Sequence, residues 1–168
     1  MPNSSFSLQA EWRRLLGGCL LIGILSVASA LLSNSLRSSP LPLLPPYLTG
    51  PSFASIRPSR AEEIVRSQGG VLLDSRYHSR YREGHLPQAL SLPPRDFDLL
   101  FPLVQPLLSP QVLLIVYGEG RGWPSERELA YLLWRRGIAA ERILILEGGA
   151  HAWQREGKPL VHRKRERG

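Results

Sequence analysis

Residues 112–117, VLLIVY, are apolar without interruption, and the chain passes from them directly into GEGRGWP. A strand with apolar side chains on both faces has no solvent side, so it belongs within a parallel sheet covered by helices above and below. The glycine-rich stretch is then a loop, and SERELAYLLWRRG after it reads as a helix. Leu129, Leu132 and Leu133 recur at helical spacing, Arg135 and Arg136 suit the C-terminal end of the helix dipole, and Gly137 supplies the stop. Ser125 with Glu128 three residues on has the pattern of a capping box. This order of strand, loop and helix restricts the chain to an α/β architecture. It also gathers backbone N–H groups over a helix N-terminus, which favours an anion or a thiolate. Gly118, Gly120 and Gly122 permit the backbone angles that turn those groups inward, Arg121 would assist an anion and Glu119 would oppose it. Trp123 has three readings: a lid over the pocket, an anchor for a partner, or a core residue.

The flanking sequence supplies the remaining layers. Ser59 and Glu62 suggest a second capping box opening a helix over 59–67, with Ile64 and Val65 inward. Gly69 and Gly70 turn the chain into a strand over 71–74, and a shorter strand is expected over 89–92. A helix over 94–108 buries Phe97, Leu100, Phe101, Val104 and Leu108 and is bent or restarted at Pro102. The last strand falls at 143–146, followed by EGGAHAW, in which Gly148 and Gly149 allow close backbone approach and Trp153 enters the core on a helix.

Between the strands at 71–74 and 89–92 runs DSRYHSRYREGHLPQA. Asp74, Arg76, Tyr81, Gly84, His85, Leu86, Pro87 and Ala89 follow the order of a motif in the rhodanese-like family, the sulfurtransferases and their relatives. Over residues 60–159 the chain resembles that family in three passages: this one, the loop at Gly118, and EGGAHAW closed by Gly157, Lys158 and Pro159. The resemblance implies a three-layer α/β domain, its central and mostly parallel sheet flanked by helices. It implies structural roles for Asp74, Arg76, Gly84, His85, Pro87, Gly148, Gly149 and Trp153, with Asp74 and Arg76 paired at the strand end.

The family's catalytic cysteine occupies the first loop position, where this chain has Gly118, and the single cysteine of the sequence is Cys19. Persulfide transfer requires a thiolate, which glycine, serine and glutamate do not provide. The loop is one residue longer than the sulfurtransferase loop and matches in length the cysteine phosphatases of the same fold. Those also need the thiolate, and carry an arginine near the loop's end, where Trp123 and Pro124 stand here. The expectation is a non-catalytic binding or regulatory module with no catalytic residue and no cofactor, serving a protein partner of unknown identity or a small anion. Gly118, Glu119, Gly120, Arg121, Gly122, Trp123 and Ser125 form the candidate anion loop. The alternative is an enzyme of sulfurtransferase-like ancestry with unrecognised chemistry at that loop, using Glu119 or His85 as acid or base. His78, His151 and His162 have no partners at ligand spacing, so no metal site is expected.

Ahead of the domain, residues 15–32 read LLGGCLLIGILSVASALL without a charge. Such a helix spans about 27 Å at a rise of about 1.5 Å per residue, close to the thickness of a bilayer core. A single transmembrane helix is expected, held as an uncleaved anchor. Arg13 and Arg14 precede it and Arg37 follows, which places the N-terminus in the cytoplasm and the domain outside. The alternative is a signal peptide cut near Ala30, leaving a secreted domain. The expected organisation is a polar segment at 1–14, the span at 15–32, a linker at 33–58 with six prolines, the domain at 59–160 and a basic tail at 161–168. Leu43, Leu44, Tyr47 and Phe53 are the linker residues able to pack on the domain instead. The net charge of +7 owes much to HRKRER at 162–167, which lacks interleaved aromatics and reads as a solvated tail, not a nucleic-acid contact.

Overall fold

The computed structural model describes residues 4–38, 40–41, 43–120 and 124–162, with side chains from residue 11 onward. The chain divides into two compact units, Met1–Leu43 and Leu44–Gly168.

Among the described residues the first unit carries one helix, α1 (Ser4–Ser35), and its stretch Glu11–Ser35 is long and apolar enough to cross a membrane. Leucine, isoleucine and valine side chains along it are exposed, including Leu20, Ile22, Ile24 and Val27. In lipid such a segment is satisfied, because every interior backbone group bonds within the helix. The helix covers most of the expected polar segment and the start of the expected linker as well as 15–32. After its end, the Asn34 side chain donates to the Leu41 carbonyl at 3.0 Å and accepts the Leu41 N–H at 2.8 Å, closing a turn.

The second unit is built on five strands: β1 (Ala54–Ile56), β2 (Val71–Asp74), β3 (Leu90–Ser91), β4 (Leu114–Tyr117) and β5 (Ile143–Leu146). Their spatial order is β1-β5-β4-β2-β3, and every pairing is parallel. The helices are α2 (Pro46–Thr49), α3 (Pro58–Gln68), α4 (His78–Glu83), α5 (Phe97–Val104), α6 (Ser125–Arg135) and α7 (Gly149–Arg155). Side chains alternate along each strand. Leu72, Ile115, Tyr117, Leu144 and Leu146 therefore pack with Ala61 and Ile64 of α3 and Ala150 and Trp153 of α7. On the other face Leu73, Leu114, Val116 and Ile143 meet Phe97, Phe101 and Val104 of α5 and Leu129, Ala130 and Leu133 of α6. The three-layer arrangement follows from that alternation.

Four expectations are corrected. The linker at 33–58 is not free of regular structure: β1 forms the sheet edge beside β5, α2 precedes it, and Phe53 packs against the α5 and α6 core, whereas Leu43 and Leu44 stay exposed. Neither capping box forms. Pro58 takes the first helical position of α3, where its missing N–H costs nothing, which moves Ser59 inside the helix and leaves Glu62 to pair with Lys158. At α6, Pro124 holds the cap position and its carbonyl accepts the Glu128 N–H at 2.9 Å. The helix expected over 94–108 is three pieces, with 3-10 turns at Pro94–Asp96 and Gln105–Leu107 around α5. Pro102 lies inside α5, and the break comes where Pro106 has no N–H to continue the helical ladder.

Candidate functional site

The chain leaves β2 toward β3 on one side and leaves β4 toward β5 on the other, so the strand order reverses between β2 and β4. A crevice opens beyond the carboxyl ends of two neighbouring parallel strands wherever this happens. Asp74 of β2 and Tyr117 of β4 are paired in register there. The crevice is lined by the residues that continue the two strands, Ser75, Arg76 and Tyr77 after β2 and Gly118, Glu119 and Gly120 after β4.

Asp74 and Arg76 are buried together. Arg76 donates from Nη2 to Asp74 Oδ2 at 2.8 Å and to the Gly84 carbonyl at 2.7 Å, and from Nε to Asp74 Oδ1 at 3.0 Å. Burial would lower the guanidinium pKa, yet the hydrogen bonds and attraction to Asp74 leave it raised. The guanidinium also lies over the Tyr117 ring at 5.6 Å. The Tyr117 hydroxyl accepts the Leu86 N–H at 3.2 Å, and burial first, then Asp74, pushes its pKa up. His85 belongs to the turn: its ring stacks on Tyr81 at 3.9 Å, its Nδ1 sits 2.9 Å from the Tyr81 carbonyl, and its backbone bridges Val161. Pro87 precedes Gln88, whose φ of 62° marks the tight return to β3. Trp153 is buried and donates to the Pro159 carbonyl at 3.0 Å.

The loop after β4 interlocks with the turn before α7. The Ala150 N–H donates to the Gly118 carbonyl at 3.0 Å. Gly149, at φ 53°, approaches so closely that a Cβ there would overlap that same carbonyl, and Gly120, at φ 85°, abuts the Gly148 carbonyl in the same way. Only glycine meets both demands at these two positions. Glu119 bridges the two loops, with Oε2 3.4 Å from Arg76 Nη1 and Oε1 3.6 Å from His151 Nε2. Ser125, relieved of capping, has its Oγ 2.9 Å from Ser75 Oγ, and Ser75 Oγ donates to the Tyr117 carbonyl at 2.9 Å. Arg121, Gly122 and Trp123 lie outside the described residues, so the structure brings together Gly118, Glu119, Gly120 and Ser125 of the expected loop.

Two participants went unread in the sequence. His151 pairs with Glu119 across the loops. Glu126, an apparent first-turn acid suited to the helix dipole, instead places Oε2 over Gly118, buried and without a hydrogen-bond partner among the described residues. Burial raises its pKa, against the opposing pull of its own backbone N–H, Ser125 and Arg127. Beside the loop a cavity of about 320 Å³ is lined by Ser75, Arg76, Tyr77, Arg80, Pro93 and Arg95 among others. Among the described residues no group of three or more metal-ligating side chains comes together.

Fold and site define a parallel α/β domain with its crevice at the β2 and β4 strand ends. The family model for the rhodanese-like domain matches residues 58–156, and the chain belongs to that family. It is 27% identical over 109 residues to the thiosulfate sulfurtransferase GlpE of Actinobacillus pleuropneumoniae, a match covering 65% of this chain and 94% of that protein. Among solved structures, a Bacillus halodurans protein superposes with a TM-score of 0.54 at 21% identity, over 65% of this chain and 77% of that one. The rhodanese-like domain of an Anabaena protein gives 0.54 at 22% identity, over 70% and 85%. Both structural likenesses concern the fold.

Proposed function

We propose that this protein is a membrane-tethered, non-catalytic rhodanese-like module that presents its crevice to a protein partner. The observation that carries the reading is Gly118, which puts no nucleophile at the start of the loop and has the carboxyl of Glu126 lying over it. Sulfur transfer needs a thiolate there, and Cys19, an exposed residue of α1, belongs to the other compact unit.

Between a small anion and a protein as the ligand, the side chains favour the protein. Glu119 sets a carboxyl group against the described part of the loop, which opposes a bound anion, and Glu126 takes up the space over Gly118. The neighbouring cavity offers exposed Tyr77 with Arg80, Pro93 and Arg95, the aromatic and arginine surface that dominates protein interfaces. The helix α1 is the tether, with the domain on the extracytoplasmic side.

The test is a sulfur-transfer assay from thiosulfate to cyanide on the purified full chain in detergent. Thiocyanate at the level of a protein-free blank is the expected result. Turnover that survives Cys19→Ala overturns the reading.

A further inference from the structure

The space over Gly118 is occupied. A Cβ built on this residue would overlap Glu126 Oε2, and would sit 3.1 Å from Ser125 Oγ and 3.2 Å from Glu126 Cδ. Gly118 itself is buried, in backbone continuity with β4. Glu126 is in the first turn of α6, and its Oε2 is buried without a hydrogen-bond partner among the described residues. A buried carboxyl oxygen left without a partner costs free energy. The groups around it are themselves held, Ser125 by Ser75 and Gly118 by Ala150.

We propose that Glu126 is the resident occupant of the vacated nucleophile position, filling from α6 the volume that a side chain at 118 would fill. The inference stands on the geometry around Gly118 and does not depend on the identity of any partner. It makes the change at this loop a paired one, in which glycine at 118 and glutamate at 126 fit each other. Restoring a thiol alone would then fail to restore a reactive site. The new sulfur would compete with a carboxyl for the same space, and a neighbouring negative charge disfavours the thiolate.

The experiment uses the full chain in detergent with Cys19→Ala, so that the introduced thiol is the only one. Alkylation by iodoacetamide at neutral pH is compared for Gly118→Cys alone and Gly118→Cys combined with Glu126→Ala. The expected result is alkylation faster by about tenfold or more once Glu126 is removed, because the helix N-terminus and loop amides then act on the thiol without the carboxyl. Folding of Gly118→Cys only in combination with Glu126→Ala supports the same conclusion by a steric route. Where neither cysteine form folds, the smaller pair Gly118→Ala and Gly118→Ala with Glu126→Ala is compared by thermal melting. A melting temperature lowered by Gly118→Ala and recovered by Glu126→Ala supports the proposal. Alkylation rates within about twofold of each other, or a Gly118→Ala loss that Glu126→Ala does not recover, overturn it. Sulfur transfer by the unaltered protein would sink the non-catalytic reading while leaving this comparison intact, so the two fail separately.

Discussion

Arg76 donates hydrogen bonds of 2.8 and 3.0 Å to Asp74, two residues before it in sequence, inside the domain, and the same guanidinium donates to the Gly84 carbonyl at 2.7 Å. One cation thereby closes the end of β2, the end of α4 and, through Glu119, the loop after β4. Removing one partner of a buried pair strands the other charge, at a cost of about 3–5 kcal/mol. Arg76→Ala and Asp74→Ala should each lower the unfolding free energy obtained from urea denaturation by about that much, while the double substitution should cost less than the two losses added. Strict additivity would show that the pair is not a unit.

The Tyr117 hydroxyl, buried in β4, accepts the Leu86 N–H. Tyr117→Phe keeps the ring and leaves that buried donor unsatisfied, a loss of about 1–3 kcal/mol. Chemical denaturation of the variant checks this, and an unchanged midpoint would mean that the bond contributes nothing.

The interlocked loops make Gly149→Ala a sensitive change. Its Cβ would collide with the Gly118 carbonyl, a backbone atom that cannot rotate away, at a φ of 53° that alanine disfavours. The expected outcome is a clear drop in melting temperature with faster amide exchange at Gly118 and Ala150. Gly137→Ala, at φ 89° but with open space around it, carries only the backbone strain and should cost less.

Glu126 gives stability a pH dependence of definite sign. Its folded pKa lies above the ordinary value of 4.5, so between the two values the folded protein keeps a proton that the unfolded chain has lost. Raising the pH through that window therefore destabilises the fold. Glu126→Gln removes the ionisation, and its stability advantage over the wild type should grow as the pH rises from about 4.5. Parallel stability curves for the two proteins would contradict the raised pKa.

Tethering predicts that the full chain stays in the membrane pellet through carbonate washing, with its original N-terminus. A mature form beginning at Leu31, detected by N-terminal sequencing, would establish cleavage instead.

Much of the domain was legible because its strands are apolar on both faces. The strands at 71–74 and 143–146 stand where the apolar runs put them, and 112–117 narrows to Leu114–Tyr117 because the register with β2 begins at Val71↔Leu114, the Val71 N–H donating to the Leu113 carbonyl at 2.9 Å. The strand β1 was not legible: three residues, two of them exposed, among prolines carry no periodicity, and only β5 beside them makes a strand of them. The capping patterns misled because a neighbouring proline decides the first turn without reference to side chains. At the site, the place of Gly118 at the start of the loop after β4 was legible. Glu126 was hidden because its place over Gly118 depends on how α6 meets the end of β4, and in sequence it is an ordinary helix-start acid.

The edge position of β1 has a mechanical consequence. At the sheet edge β1 is held on one side only, by the register Ala54↔Leu144 to Ile56↔Leu146 with β5, together with Phe53 and Ile56 packed on the core. The crevice between β4 and β2 stands behind the whole width of β5. A pull on the N-terminal end of this unit should therefore strip β1 from β5 before it deforms the crevice, the edge strand acting as a fuse.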